Sequence, residues 1–330
     1  MRPHVAGALA PVLVRQHRVI TARQIVDSGS DSELGTREVA AGHWQRPARG
    51  VYFAFSGLPT LMQRAWCAQL LSGDSSRVSG PLACQVLGIA DAPGLAAVVL
   101  VSKDCQRTGS NEYVVRRTSR LPTAIDRDGL RLVGPARAVV DAARHTHDLR
   151  EVRAVVCAAM NSRQVEYADL VAERRAEPRA GLGMLGHALR DWADGARSAP
   201  EAEVADALRE QVRRKNMPPF LLNPNIYAGA VLLGALDVYV PGSALGSETD
   251  SVRHHGSEET LDATLTRHAM FTRAGIELEH VTPTRFRRSP TVWAAMFAGL
   301  ASQRQGRGDP VGLRIEPVGP LQDGRRHRRT

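Results

Sequence analysis

The stretch Leu236–Thr282, LDVYVPGSALGSETDSVRHHGSEETLDATLTRHAMFTRAGIELEHVT, decides how the second half of the chain is read. Val231 to Val240 is apolar and β-rich, Pro241-Gly242-Ser243 interrupts it, and Ala244 to Asp250 resumes, a pattern that predicts a β-hairpin with a short turn. A turn centred between Gly242 and Ser243 sets Asp237 across from Glu248 on one face, with Cβ atoms about 4.5–5.5 Å apart. Asp250 returns to that face two residues on. Two carboxylates at such a spacing repel unless they share a proton or a cation, and oxygen donors suit Mg²⁺.

His254 and His255 follow, then Gly256-Ser257, then a helix from about Glu258 with Leu261, Leu265 and Ala269 on one side. It stops at Gly275 with Arg273 in its last turn, and Ile276 to Val281 alternates as a further strand. Spacing alone leaves a plainer reading open, because strand ends often carry charges where they leave a sheet and a His pair in a loop is ordinarily solvated. The order of elements resembles the restriction-endonuclease-like superfamily over about residues 196–300: an Asp strand, a Glu-x-Asp strand, a His pair, a helix with Arg267, Phe271 and Gly275, then a third strand. More narrowly it is similar to the very-short-patch-repair-like nuclease domains common in actinobacterial proteins. The resemblance implies an α/β/α domain with a mixed sheet that hydrolyses DNA phosphodiesters, with Mg²⁺ or Mn²⁺ held by Asp237 and Glu248.

In the common form of that superfamily a Lys follows the Glu by two positions, and here Asp250 stands in its place. The proton-accepting role then passes to His254 or His255, whose near-neutral titration suits it. Ser198 and Glu201 have capping-box spacing at the start of a helix, EAEVADALREQVRRK. Glu201 also lies on the stripe of Val204, Ala205, Leu208 and Val212, and the resemblance implies that a Glu so placed faces the metal centre. The expected catalytic set is therefore Glu201, Asp237, Glu248, Asp250, His254 and His255.

At the other end, residues 1–56 read as three helices followed by a short hairpin, with a Pro-Ala-Arg-Gly turn in HWQRPARGVYFAF. That order is a winged helix. It resembles the amino-terminal domain of AbiEi-type antitoxins in its Trp44, Arg46, Arg49, Gly50, Tyr52 string, and the strand-then-RAVVDAAR passage over 130–144 is similar to their second domain. Duplex DNA is the expected partner, met by Arg23, by Arg37 on the third helix, and by Arg46 and Arg49 on the wing. Asp141 and Arg144 read as a surface i,i+3 pair.

The 330 residues carry 43 basic against 34 acidic side chains, and this excess favours an anionic partner. Ten Arg and three acids after Val281 concentrate it at the carboxy terminus. Cys67, Cys84, Cys105 and Cys157 show neither zinc-ligand spacing nor a disulfide framework. The amino terminus lacks the apolar core and cleavage site of a signal peptide, and no run reaches the roughly 18 apolar residues of a membrane span, so a cytoplasmic protein without membrane contact is expected.

The expected fold class is α/β (α+β). It comprises a winged helix over 1–58, a middle α+β domain with a helical connector over 59–195, a restriction-endonuclease-like domain over 196–303 and a disordered basic tail over 304–330. The expected function is that of a DNA-binding protein with a metal-dependent endonuclease-like domain. The alternative is a transcriptional regulator or antitoxin whose nuclease fold survives as a scaffold, with a toxin protein as its partner.

Overall fold

A computed structural model describes residues 3–89, 97–109, 113–249 and 258–323. The chain forms two compact units, residues 1–185 and 186–330, both mixing helices with sheets. Among the described residues no helix is long and apolar enough to cross a membrane.

The first unit begins with α1 (Pro3–Arg15), β1 (Val19–Thr21), α2 (Ala22–Asp27), α3 (Leu34–Ala40), β2 (Gln45–Ala48) and β3 (Val51–Phe53). Thr21 starts α2 through a capping box with Gln24, each side chain answering the other's backbone N–H. β1 returns to pair antiparallel with β3, giving the order β1-β3-β2. Leu9, Ile20, Ile25, Leu34, Trp44 and Tyr52 form one core beneath them. Gly35 is fixed by packing: a Cβ there would lie 2.5 Å from the Tyr52 ring. Gly35→Ala is expected to cost about 1–3 kcal/mol through overpacking; denaturation followed by Trp44 fluorescence checks it, and an unchanged midpoint would mean that the ring moves freely.

The unit continues through α4 (Leu61–Ser72), β4 (Arg77–Ser79), α5 (Gly80–Val86), β5 (Ala97–Ser102), β6 (Tyr113–Thr118), β7 (Ile125–Arg127), β8 (Leu130–Leu132), α6 (Pro135–Arg144), α7 (Leu149–Asn161) and α8 (Tyr167–Ala176). Its sheet has the order β6-β5-β4-β8-β7. Here the surface-pair reading of Asp141 and Arg144 is overturned. Asp141 is wholly buried, accepting from Ser79 Oγ at 2.7 Å and Arg137 Nε at 2.8 Å and paired with Arg116. Glu177, also buried, takes Arg137 at 2.5 Å and Arg116 at 2.9 Å. Arg144 turns instead to the carbonyls of Pro178 and Ala180. The physical reason is that α6 is enclosed on every side from Arg137 to Ala143, so its acid must find cations from β6 and from its own preceding turn.

α9 (Gly183–Ala193) carries the chain across the boundary between the units. The second unit holds α10 (Ala199–Arg213), β9 (Leu221–Leu222), β10 (Asn225–Ala228), β11 (Val231–Ala235), β12 (Val238–Val240), β13 (Leu245–Thr249), α11 (Glu258–Arg273), β14 (Glu277–Val281), α12 (Pro283–Arg288), α13 (Pro290–Arg304) and β15 (Leu313–Glu316). Its main sheet runs β14-β13-β12-β9, antiparallel except for the parallel β13–β14 pair. Val238, Val240, Leu245 and Val281 meet Leu208 of α10 and Phe297 of α13 on one face. Leu236 and Tyr239 meet Phe271 of α11 and Ile276 in a second core.

Two expectations are corrected in this unit. Val231 to Val240 is not one strand: β11 belongs to the sheet β11-β10-β15, and only β12 enters the main sheet. The interruption falls at Leu236 and Asp237, while Gly234, at φ +139, stays inside β11 paired with Ile226, where a Cβ would meet Arg267 and Phe271 of α11. Nor is the segment from 304 to 323 disordered. β15 pairs with β10, alternate Leu313 and Ile315 pack against the second core, and Arg314 lies 3.8 Å over the Tyr227 ring. Asp309 accepts from Tyr239 Oη at 2.5 Å and from Gly242 N–H at 2.8 Å, so the segment fastens the β12–β13 turn. Composition suggested a tail, whereas the alternation of Leu313 and Ile315 supplies a strand.

Candidate active site

β12 and β13 pair with Val238 opposite Ser247, Tyr239 opposite Gly246 and Val240 opposite Leu245. Continued one step, this register sets Asp237 across from Glu248, on the face that looks toward α11. Asp237 Oδ2 accepts the Thr249 N–H at 2.7 Å, which fixes its carboxylate at the strand entrance. Glu248 is 4% exposed, and its Oε2 takes Arg267 Nη2 of α11 at 3.2 Å.

Glu201 approaches from the first turn of α10. The cap is real: Ser198 Oγ accepts the Glu201 N–H at 3.3 Å and donates to its Oε1 at 2.7 Å. The other oxygen, Oε2, accepts from Arg197 N–H at 2.8 Å and from Asn223 Nδ2 at 2.6 Å. Asn223 also donates its backbone N–H to the Asp237 carbonyl at 3.2 Å, tying the helix start to the strand. The same carboxylate therefore serves the helix and bears on Asp237. Burial, then the Glu201 and Glu248 charges, push the Asp237 carboxyl well above the ordinary carboxylate range, against the opposing pull of the Thr249 N–H and Arg267.

Imidazoles stand near this row, though not those singled out from the sequence. β14 runs parallel to β13 with His280 in register beside Glu248, and partners in adjacent strands share a face. His268, one residue beyond Arg267 on α11, packs against His280 with ring centroids 4.3 Å apart. The pair opens onto a cavity of about 450 Å³ that Thr272, Glu277 and Arg304 also line. Asp250, His254 and His255 lie outside the described residues. His280 could have been suspected, since a strand–helix–strand passage brings its third element beside its first; the register could not.

Hard carboxylate oxygens of Asp237 and Glu248 are the donors that a divalent cation prefers, and the raised Asp237 carboxyl is what a cation's charge would relieve. Among the described residues, no group of three or more His, Cys, Asp or Glu side chains is arranged to hold a metal ion by itself.

The four arginines read as DNA contacts are all exposed. Arg23 lies 3.7 Å from Asp27. Arg37 is engaged bidentately by Asp31 at 2.8 and 2.9 Å and holds that carboxyl below its usual range, so it does not project freely from α3. Arg46 lies 6.0 Å over the Tyr52 ring. Arg49 makes no ion pair among the described residues. A scan of the chain against protein-family models gives no match, and neither does a comparison with curated proteins.

Proposed function

We propose that the chain is a DNA-binding protein whose second unit hydrolyses DNA phosphodiesters with Mg²⁺ or Mn²⁺. One observation carries this reading: the Asp237 carboxyl is pushed up by burial and by two neighbouring carboxylates, Glu201 and Glu248, with Arg267 of α11 reaching Glu248. Asp237 and Glu248 would hold the ion, two carboxylates being a usual protein share when substrate phosphate and water complete the sphere. Such an ion stabilises charge developing on phosphate and lowers the pKa of an attacking water. The chain's own part is orientation. Thr249 N–H and Asn223 hold Asp237 and Glu201 in fixed directions, and Arg267 offsets part of the negative charge. Residues 1–58 fit a winged helix that grips the duplex, a reading supported by the return of β1 to β3 beside the α2–α3 turn.

A second reading has its own observation. The ion pair of Arg267 with Glu248 already supplies a cation to the row, as in a nuclease fold kept as the scaffold of a regulator or antitoxin with a toxin partner. Incubation of supercoiled plasmid with the purified chain and Mg²⁺ or Mn²⁺ separates the two. The enzyme reading expects nicking that Glu248→Gln lowers by about a hundredfold or more. Nicking indifferent to Glu248→Gln would belong to a contaminant, and its complete absence across plasmid and mismatched duplexes would favour the scaffold.

A further inference from the structure

We propose that the first unit carries a phosphate-binding site, distinct from the carboxylate row, in the cavity between the β2–β3 turn and the loop after β5. The cavity is about 390 Å³ and is lined by Arg49, Arg107, Thr21, Gln106, Thr108 and Tyr113, with the rest apolar or glycine. Two guanidinium groups from separate elements meet one concavity with no described carboxylate in its lining. Several other cations of this unit are answered by carboxylates, Arg37 by Asp31, Arg116 by Asp141 and Arg120 by Glu173. Here neither Arg49 nor Arg107 has an ion pair among the described residues.

Both arginines sit on held backbone. The Gly50 carbonyl accepts the Ala22 N–H at 2.9 Å, which pins the turn bearing Arg49 to the start of α2. Arg117 donates from Nε to the Cys105 carbonyl at 2.7 Å and from Nη2 to the Arg107 carbonyl at 3.0 Å, while Tyr113 Oη donates to the Thr108 carbonyl at 3.1 Å. Arg107 spends Nη1 on the Leu71 carbonyl at 2.7 Å, which aims the group and leaves further N–H donors for a ligand. Two like charges converging on hydroxyls and an amide call for an anion with several acceptor oxygens, and phosphate fits that fork geometry.

The phosphate can come from the DNA backbone, lengthening the footprint of the amino-terminal segment, or from a free phosphorylated small molecule that would compete with DNA for Arg49. Two arms with the full chain distinguish them: inorganic pyrophosphate by isothermal titration, and a short duplex by fluorescence anisotropy over a salt series. For a free ligand, Arg107→Ala and Arg49→Ala each weaken pyrophosphate about tenfold, and Arg107→Ala leaves duplex affinity unchanged. For a DNA phosphate, pyrophosphate does not bind and Arg107→Ala lowers the salt slope by about 0.9. Arg107→Lys, which keeps the charge, retains part of either response. If Arg107→Ala does not fold, the exposed Arg49→Ala carries the test. The proposal is overturned if the wild-type chain takes up neither probe, or if both Ala variants bind both probes as wild type does. Loss of pyrophosphate binding with intact duplex binding would leave the DNA-binding reading standing, so the two fail separately.

Discussion

Asp141→Ala is expected to destabilise the first unit by about 3–5 kcal/mol, the scale for removing one partner of a buried ion pair. Asp141 is wholly enclosed and answers Arg137, Arg116 and the Ser79 hydroxyl at once. Its loss strands the 3%-exposed Arg137 with only the glutamates at one end of its guanidinium. Arg116 keeps Glu177 alone, at 2.9 Å. The penalty lies in the uncompensated charge rather than in the pair's net worth. Asp169→Ala, on the exposed side of α8, is the control and should stay within about 0.5 kcal/mol. Chemical denaturation of both variants reads the difference, fitted with a separate transition for each unit. Equal midpoints would show that the network is solvated in solution.

Asp237→Asn is expected to act in the opposite direction and to depend on pH. The folded Asp237 carboxyl is raised above its unfolded value by burial and by the charges of Glu201 and Glu248. Its contribution is thus full below the ordinary carboxylate range and is lost as pH rises through the elevated folded value, so at neutral pH the ionised group costs stability. Asn keeps an oxygen for the Thr249 N–H and removes the charge. The variant should melt above wild type at neutral pH, by about 2–4 °C for each kcal/mol relieved, and the gap should close toward pH 4. A constant gap at all pH values would assign the change to packing instead of charge.

The carboxylate row was legible because a short turn around Pro241-Gly242-Ser243 admits few registers, and the β12–β13 ladder, closing on Val240 and Leu245 across four turn residues, has the one that opposes Asp237 to Glu248. Glu201 was legible for a similar local reason, its cap and its apolar stripe both being written within one helix. What failed to show in the sequence depends on partners distant along the chain. His280 meets Glu248 through a parallel pairing set by the whole β13–α11–β14 passage. Asp141 looked like surface because its cations come from β6 as well as from its own helix. The break between β11 and β12 was hidden inside a β-rich run, since it falls at Leu236 and Asp237 with no Pro or Gly at those positions to mark it.

The central claim is that Asp237 and Glu248, beside the Glu201 charge, form a seat for a divalent cation, and thermal melting of the full chain during titration with Mg²⁺ or Mn²⁺ tests it most directly. Binding to the folded chain alone stabilises by about 2.7 kcal/mol at a hundred times the dissociation constant. The second unit of wild type should therefore rise in Tm as cation is added, while Asp237→Asn, already relieved of repulsion, should respond little. Identical responses in the two proteins, or none in wild type at saturating cation, would contradict the claim.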